Sequence, residues 1–466
     1  MNKRTWWLMI SIGLGVMLNP LNSSMVSVAI PALQEAFRLD FTTVSWIVFS
    51  FYISSAVAQP VMGKAGDLFG RKKIFLGGLL VAFLASLAAP WSPSFGWLIA
   101  LRVLQSIGTS MMMAVGMALV RIHVTEKRAS ALAVLSVFLS GAAAVGPFIG
   151  GLLTSGWGWR AIFFVNLPFA LAAFVLARRT IPDDPGREAG ESGRFSLRAW
   201  LSRIDAPGAG LFAAGLILLF TGLLATGPRG QIGGSSLAGI EIATAGLLML
   251  ILFAVYELKV AAPFIPLRLF AGNPGLIRIN IEFMLANLLF YAVFFGLPSY
   301  LQQVRGLSEF HTGLLMLSLG LCSLVVSPLA GRWTERLGPA SVLRMSAPVI
   351  TLGAAGMALL NPHTPLLVIV LILAAFGIAN GLNGVAMQSA LFAASPAEAA
   401  GVVSGMFITF RYLGTILSSL LTGLAMGGNF NEAGFRALGI WLIAAALILV
   451  VLSLGKRRSA EEETNR

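Results

Sequence analysis

The sequence predicts an all-α polytopic membrane protein with fourteen transmembrane helices. Of its 466 residues, 57% are hydrophobic and 11% are charged, whereas a soluble domain has roughly 45–50% apolar and about 25% charged residues. The apolar residues form long runs without charge, and about 20 such residues cross a bilayer as a helix. Composition therefore excludes an ordinary soluble domain, and it excludes a disordered chain because such chains are poor in hydrophobic residues.

The individual spans follow from the positions of charges and turns. The segment 74–120 carries one charge, Arg102, and so holds two spans joined by the turn Pro90–Ser94. The segment 345–397 has no charge and breaks at Asn361–Pro365. Residues Met1–Arg4 precede an apolar run that is too long for a signal peptide, so we expect an uncleaved first helix. The predicted spans are 6–30, 42–62, 74–92, 97–119, 130–153, 160–177, 206–226, 237–258, 276–301, 311–330, 343–360, 365–390, 399–422 and 436–454.

The basic residues predict the orientation of these spans. The chain has 32 lysines and arginines against 19 acids, a net charge of +13. With both termini in the cytoplasm, 25 basic residues fall on the cytoplasmic side and two within spans, as basic residues collect on cytoplasmic loops. This distribution explains the net charge without a nucleic-acid partner. The five external basic residues are Arg38, Arg160, Arg229, Arg305 and Arg436.

An internal repeat predicts two related halves. A glycine, an acid four residues later and a second glycine recur after the second and tenth spans, as Gly63, Asp67 and Gly70 and again as Gly331, Glu335 and Gly338. Repeated halves with a binding site between them are the architecture of secondary transporters. The predicted division is an N-terminal six-helix bundle at 1–180, a cytoplasmic linker at 181–204, two accessory helices at 205–272, a C-terminal six-helix bundle at 273–455 and a cytoplasmic tail at 456–466.

Nothing in the sequence indicates an enzyme, a metal site or a cofactor site. The single cysteine, Cys322, excludes internal disulfides. The three histidines, His123, His311 and His363, lack metal-ligand spacing. We therefore expect neither a cofactor nor a metal, and the partners we expect are the lipid bilayer and a small molecule.

Six segments along the chain carry recognisable motifs: Gly63–Lys73, Leu98–Gly108, Gly146–Gly151, Trp157–Pro168, Pro263–Phe270 and Gly401–Gly414. In sequence and in order they resemble the major facilitator superfamily, and specifically its fourteen-helix drug:proton antiporter branch. The resemblance covers nearly the whole chain. It implies the major facilitator fold, with two six-helix bundles and two accessory helices, and proton-coupled efflux of drugs.

Two of these segments are expected to control conformation. In the loop motif, Gly63 and Gly70 permit a tight turn. Asp67 can cap a helix or pair with an arginine such as Arg71, although Leu68 stands where the branch usually has a basic residue. Plain turn chemistry is the alternative for this motif and for its repeat. In the antiporter motif, Gly146, Gly150 and Gly151 permit close helix approach and Pro147 bends the helix, with packing alone as the alternative.

Arg102 is the strongest single candidate for a functional residue. An arginine inside a span costs at least about 2.5 kcal/mol unless it is paired or hydrated. Arg102 shares a helix face with Gln105, Thr109 and Met113, which predicts a cavity wall. By resemblance, Arg102 takes part in proton coupling. The alternative is a structural arginine bonded to backbone carbonyls.

The first span departs from the branch. Asn22 occupies the position where relatives usually carry an aspartate, and an amide cannot titrate. Glu282 is the acid well inside a predicted span and is the second proton-coupling candidate. The alternative is that Glu282 only pairs with Arg278, four residues earlier.

Polar residues on other spans are candidates for the substrate cavity or for bonds between helices. A stripe of aromatic residues, Phe290, Tyr291, Phe294 and Phe295, is a candidate either for substrate contact or for packing. The polar candidates, besides Asn22, Gln105, Thr109 and Met113, are Tyr52, Gln59, Asn280, Asn287, Tyr291, Asn380, Asn383 and Arg411.

The function expected from all of these features is export of amphipathic small molecules by alternating access, driven by a proton gradient. We expect a multi-pass monomer in the cell membrane. The alternatives are an exporter of an endogenous lipid or metabolite, or a non-transporting membrane sensor or scaffold.

Overall fold

In the computed structural model, the described part of the chain comprises residues 3–123, 128–182, 205–225, 236–260, 263, 265, 267–268, 273–394, 400–426 and 432–464. All regular structure in these residues is helical. Fourteen helical segments are long and apolar enough to cross a membrane, which confirms the predicted fold class and span count. The predicted linker at 181–204 lies, apart from its first two residues, outside the described residues.

The helices form two halves and an accessory pair. The N-terminal half comprises α1 (Lys3–Val16), α2 (Leu18–Phe37), α3 (Phe41–Val44), α4 (Trp46–Phe69), α5 (Arg71–Ala88), α6 (Phe95–His123), α7 (Arg128–Trp157), α8 (Ala161–Phe164) and α9 (Asn166–Thr180). The accessory helices are α10 (Ala206–Ala225) and α11 (Ser236–Glu257). The C-terminal half comprises α12 (Pro274–Gln303), α13 (Glu309–Leu337), α14 (Pro339–Ala358), α15 (Leu366–Ala393), α16 (Ala400–Met426) and α17 (Glu432–Thr464).

The first span is longer than predicted and has an interruption. It covers Thr5–Phe37, whereas the apolar pattern predicts 6–30. Pro20 has no N–H to bond the carbonyl one turn earlier, which explains the break between α1 and α2. The bonds Met17 N–H to Gly13 O and Leu21 N–H to Met17 O, both 3.0 Å, nevertheless join the two helices.

Gly70 and Gly338 confirm the internal repeat in three dimensions. Each ends one helix and begins the next, with φ of +98° at Gly70 and +78° at Gly338. These conformations are open to glycine and strained for other residues. The two turns lie at the same end of the molecule, which we call the motif end. The opposite end, where α2 and α12 finish, is called the far end.

The halves meet chiefly where α2 packs on α12, α4 on α16 and α7 on α13. We call this boundary the seam. At the far end, Gln302 donates from Nε2 to the Val28 carbonyl at 2.9 Å, and Gln303 donates from Nε2 to Gln34 Oε1 at 2.6 Å. The accessory helices pack on each other, and α10 contacts α4 and α16. The accessory pair therefore lies against one edge of the seam.

Candidate functional site

Three of the five tyrosines in the chain meet on the seam. Tyr52 comes from α4, Tyr291 from α12 and Tyr412 from α16. The Tyr52 ring centroid lies 5.8 Å from that of Tyr291 and 5.7 Å from that of Tyr412. Aromatic pairs at these separations attract each other. The three rings thus connect the N-terminal half to two helices of the C-terminal half.

Two hydrogen bonds extend this aromatic cluster. Arg411 donates from Nη2 to the Tyr291 hydroxyl at 3.0 Å. Its chain neighbour Tyr412 donates from its hydroxyl to Gln59 Oε1 on α4 at 2.9 Å. Consecutive residues on a helix point about 100° apart, so α16 directs one side chain to α12 and the next across the seam. We call Tyr52, Gln59, Tyr291, Arg411 and Tyr412 the seam cluster.

The exposure of α16 changes sharply at Arg411. On one helix face, Thr415, Ser418 and Thr422 are at most 1% exposed. Arg411 and Ile408, which continue this face toward the motif end, are partly exposed.

We interpret the partial exposure of Ile408 and Arg411 as a recess between the halves that is open toward the motif end. Arg411 lies where the recess begins, near the middle of α16. Toward the far end the same boundary is closed. A Cβ built on Gly313 of α13 would lie 2.6 Å from the Pro147 carbonyl oxygen of α7, and one on Gly320 would overlap Ala144.

Arg102 lies in a second polar group, inside the N-terminal half. It is 1% exposed. It donates from Nη1 to Gln105 Oε1 at 2.7 Å and to Asn22 Oδ1 at 3.5 Å, and its guanidinium lies 4.4 Å from the centroid of the Phe51 ring. Asn166 also donates to Asn22 Oδ1, at 3.0 Å. No carboxylate of the described chain bonds Arg102, so its charge is balanced by amides and an aromatic face.

The other predicted residues of this group are buried with it. Gln105 donates to Ser86 Oγ at 2.7 Å, and Thr109 accepts from Asn19 at 3.1 Å. Met113 is 9% exposed and packs in the apolar core of the N-terminal half. The structure thus brings Asn22, Arg102, Gln105 and Thr109 together within one half. The Phe51 ring, whose centroid lies 5.5 Å from that of Tyr52, joins this group to the seam cluster.

The predicted asparagines of the C-terminal half bond locally. Asn280 and Asn287 each donate to the carbonyl four residues earlier in α12, both at 2.7 Å. Asn380 donates to Ser323 Oγ at 2.9 Å and so joins α15 to α13. Asn383 is 4% exposed. Phe290, Phe294 and Phe295 are buried against one another, which favours packing for the aromatic stripe.

Glu282 forms the ion pair that its spacing predicts. Its Oε1 lies 3.1 Å from Arg278 Nε, with the Glu282 side chain fully buried and that of Arg278 24% exposed. The pair lies on α12, nine residues from Tyr291 and toward the motif end. It is therefore separate from the seam cluster by about 13 Å along the helix axis.

The antiporter motif builds part of the seam. Gly146 and Gly150 face α2, where Cβ atoms would collide with Ser24 and with the Met25 backbone. Gly151 faces the Glu309 carbonyl of α13, in the other half. In the loop motif, the Asp67 side chain lies outside the described residues, and Arg71 begins α5. Gly63 and Gly331 have no atom within 4 Å of a built Cβ, and Glu335 is exposed.

The sequence profile of the Major Facilitator Superfamily matches residues 12–419. The chain belongs to the major facilitator superfamily. It is accordingly a transporter of this superfamily and a multi-pass membrane protein. Among the described residues, no group of three histidine, cysteine or acidic side chains could hold a metal ion.

Individual relatives agree with the family. The chain is 42% identical to the uncharacterized MFS-type transporter YwoD of Bacillus subtilis, over 93% of each chain. It is 26% identical to the tetracenomycin C resistance and export protein of Streptomyces glaucescens, over 92% of this chain and 77% of the relative. A crystal structure of a bacterial homologue of the human lysosomal transporter Spinster, inward-facing and unoccupied, has a TM-score of 0.67 and 16% identity, and the match covers 97% of each chain.

Three residues of the seam cluster and the Arg102 group were not identified by the sequence analysis. Tyr412 is the clearest omission, because it is a polar aromatic residue within a span and next to Arg411. Asn166 has a comparable feature, since it is a polar amide inside the sixth predicted span. Nothing in the sequence distinguishes Phe51. Phe51 contributes an aromatic face to Arg102, and this is visible only once α4 and α6 are packed together.

Proposed function

We propose that the chain exports amphipathic small organic molecules by alternating access between its two halves. The observation that carries this proposal is the seam cluster. It places a cation, three phenol rings and an amide at the boundary of two halves, with a recess open on one side and close packing on the other. Binding sites between repeated halves are typical of secondary transporters.

The direction of transport follows from the predicted orientation. The distribution of basic residues predicts that the motif end lies in the cytoplasm, so the recess would load from the cytoplasm. Release would require the far-end contacts between α7 and α13 to separate. The function of one relative, tetracenomycin C resistance and export, supports export over uptake.

We further propose that proton exchange at Glu282 drives the cycle. A protonated Glu282 cannot hold Arg278 by charge, so protonation would release this ion pair. The partial exposure of Arg278 supports a water route to the pair. Arg102, by contrast, is sealed among neutral partners and would act by holding α2, α4 and α6 in register.

Transport into inside-out proteoliposomes tests export. We expect uptake of fluorescent amphiphiles when an acid interior is imposed, and loss of uptake when nigericin collapses the pH gradient. Empty liposomes provide the control. Uptake that is equal with and without the protein, across neutral, anionic and cationic dyes, would contradict the proposed function.

The Glu282→Gln variant tests proton exchange. We expect pH-driven uptake to fall to background while equilibrium dye binding stays within about twofold of wild type, because a neutral amide cannot release a proton. Glu432→Gln is the matched control, since Glu432 pairs with Arg436 at 3.6 Å and is 42% exposed at the far end. Normal pH-driven uptake by Glu282→Gln would leave Glu282 with only the structural pairing.

A further inference from the structure

Arg411 is an intramembrane cation that keeps unused donors in an accessible place. A guanidinium has five N–H donors. The bond to the Tyr291 hydroxyl is the hydrogen bond that the side chain of Arg411 makes within the described chain. Arg411 is partly exposed, and its nitrogen atoms are not among the sealed, unpartnered polar atoms. The remaining donors therefore face the recess.

The comparison with Arg102 sharpens this point. Arg102 is also intramembrane, but it is 1% exposed and its Nε is buried without a partner. Its two other contacts are amides of its own half. Of these two arginines, Arg411 is the one that an incoming molecule can reach.

No carboxylate of the described chain bonds Arg411. Glu282, an acid in the same C-terminal half of the molecule, is fully buried and paired with Arg278. The recess thus carries an uncompensated positive charge in a region of low dielectric, where Coulomb attraction for an anion is strong. The same charge repels organic cations.

The neighbours of Arg411 set the rest of the ligand. The rings of Tyr52, Tyr291 and Tyr412 pack against one another and are at most 7% exposed, so they support Arg411 rather than offer ring faces to a ligand. Ile408, one turn from Arg411 and partly exposed, offers apolar surface beside the charge. A guanidinium binds carboxylates and related oxyanions through two parallel N–H bonds. The Tyr291 hydroxyl bond holds the guanidinium in a defined orientation for this purpose.

We infer that the recess selects amphipathic molecules that carry an anionic group, with Arg411 binding the anion and the apolar part of the molecule packing beside it. This inference rests on the proposed function, because it assigns the substrate class of the same seam site. A free organic anion and a lipid headgroup share this chemistry, and we favour the free anion because Arg411 lies near the middle of α16, away from the helix ends where headgroups lie.

Equilibrium binding to the full-length protein in nanodiscs tests the inference. Three probes share one ring and differ in charge: 1-pyrenebutyrate, 1-pyrenebutanol and 1-pyrenebutylammonium, each corrected with empty nanodiscs. We expect pyrenebutyrate to bind roughly tenfold or more tightly than the alcohol, and the ammonium most weakly, as a charge-assisted contact predicts. Equal affinities, or no saturable binding of pyrenebutyrate, would overturn the inference.

Variants connect this preference to Arg411. Arg411→Gln should weaken pyrenebutyrate binding about tenfold and leave pyrenebutanol within about twofold, whereas Arg411→Lys should keep part of the preference because it keeps the charge. Arg436→Gln is the matched control, since Arg436 is 59% exposed at the far end. If Arg411→Gln does not fold, Tyr291→Phe provides the test instead. It removes only the hydrogen bond that orients the guanidinium, and it should weaken pyrenebutyrate binding several-fold. An unchanged preference in these variants would refute the assignment.

Two further comparisons distinguish a lipid ligand from a free anion, and this inference from the proposed export function. Added phosphatidylglycerol should leave pyrenebutyrate affinity unchanged, and strong competition would assign the site to a lipid headgroup instead. Binding is measured without transport. An anion preference without vesicle uptake would therefore count against the proposed export alone, whereas uptake without that preference would count against this inference alone.

Discussion

At the scale of single residues, the intramembrane arginines Arg102 and Arg411 show opposite ways of holding a charge in a membrane. Arg411 keeps access to the recess and makes one tyrosine contact. Arg102 is enclosed by Asn22, Gln105 and the Phe51 ring. An enclosed cation without a counterion is costly, and the unpartnered Asn22 Nδ2 lies in the same group. Asn22 is therefore a position where the wild-type side chain is not the most stabilising one.

We predict that Asn22→Asp stabilises the protein by about 1–3 kcal/mol, because it replaces a neutral contact to Arg102 with a charge-assisted bond. Asn166 can still donate to the new carboxylate. Thermal unfolding in detergent measures the effect. Because Arg102 would neutralise the new acid, we expect little change in substrate selectivity.

Asn280→Asp is the matched control. Asn280 is equally buried, but within the described part of the chain its amide bonds only the Leu276 carbonyl and no cationic side chain bonds it. A buried acid without a partner should lower the unfolding temperature. If both aspartates destabilise the protein, then Arg102 does not hold an available charge and the network has been misread.

At the scale of helices, glycine positions that look alike in sequence differ in role. The loop motif and its repeat each begin and end with a glycine, seven residues apart, and nothing in the sequence separates the roles of these two positions. In the structure, Gly70 and Gly338 adopt positive φ, whereas Gly63 and Gly331 are helical with open space around them. The turn therefore depends on the second glycine of each motif.

We predict that Gly70→Ala and Gly338→Ala each destabilise the protein by about 1–3 kcal/mol, since their backbone conformations are strained for alanine. The controls lie in the same motifs. Gly63→Ala and Gly331→Ala should be neutral or stabilising by up to about 1 kcal/mol, because alanine is the better helix former. Thermal unfolding of the four variants checks both halves, and equal losses at all four positions would contradict this division of roles.

Helix α7 offers a second prediction, about closure of the far end. A side chain at Gly151 would collide with the Glu309 carbonyl of α13, so Gly151→Val should push the halves apart. In a Cys322→Ser background, we expect crosslinking between Gln34→Cys and Gln303→Cys to fall several-fold in this variant. Gly156→Val, on the same helix and with no atom within 4 Å of its Cβ, should leave the crosslinking unchanged.

At the scale of the whole molecule, hydropathy and the internal repeat were sufficient to predict the fold, but they did not predict how the site residues are arranged. Apolar runs predict each span because every span must satisfy the same bilayer, and the glycine repeat places both halves in one orientation. The partner of a polar residue depends instead on which helices meet. Periodicity alone placed Arg102 and Arg411 alike on polar faces, and only packing separates an enclosed network from an accessible recess.

The same distinction applies to Tyr412. In sequence it follows Arg411 on a largely apolar helix, with nothing to indicate that its hydroxyl reaches Gln59, 353 positions away. Long-range pairs of this kind arise from the seam between halves, and a single sequence carries no record of them. Residue type can identify candidates, but the choice among them requires the geometry.

The orientation of the whole molecule remains a prediction, and it determines what export means. If the motif end lies in the cytoplasm, the recess opens to the cell interior, and the charge asymmetry of the loops demands this arrangement. We predict that, in a Cys322→Ser background, an impermeant maleimide labels Arg436→Cys in intact cells and labels Glu335→Cys only after permeabilisation. Both positions are exposed, at the far end and the motif end respectively, so accessibility to water does not differ between them. The reverse labelling pattern would turn the recess toward the outside, and the same seam cluster would then support uptake, because the site lies between the halves whichever end is open.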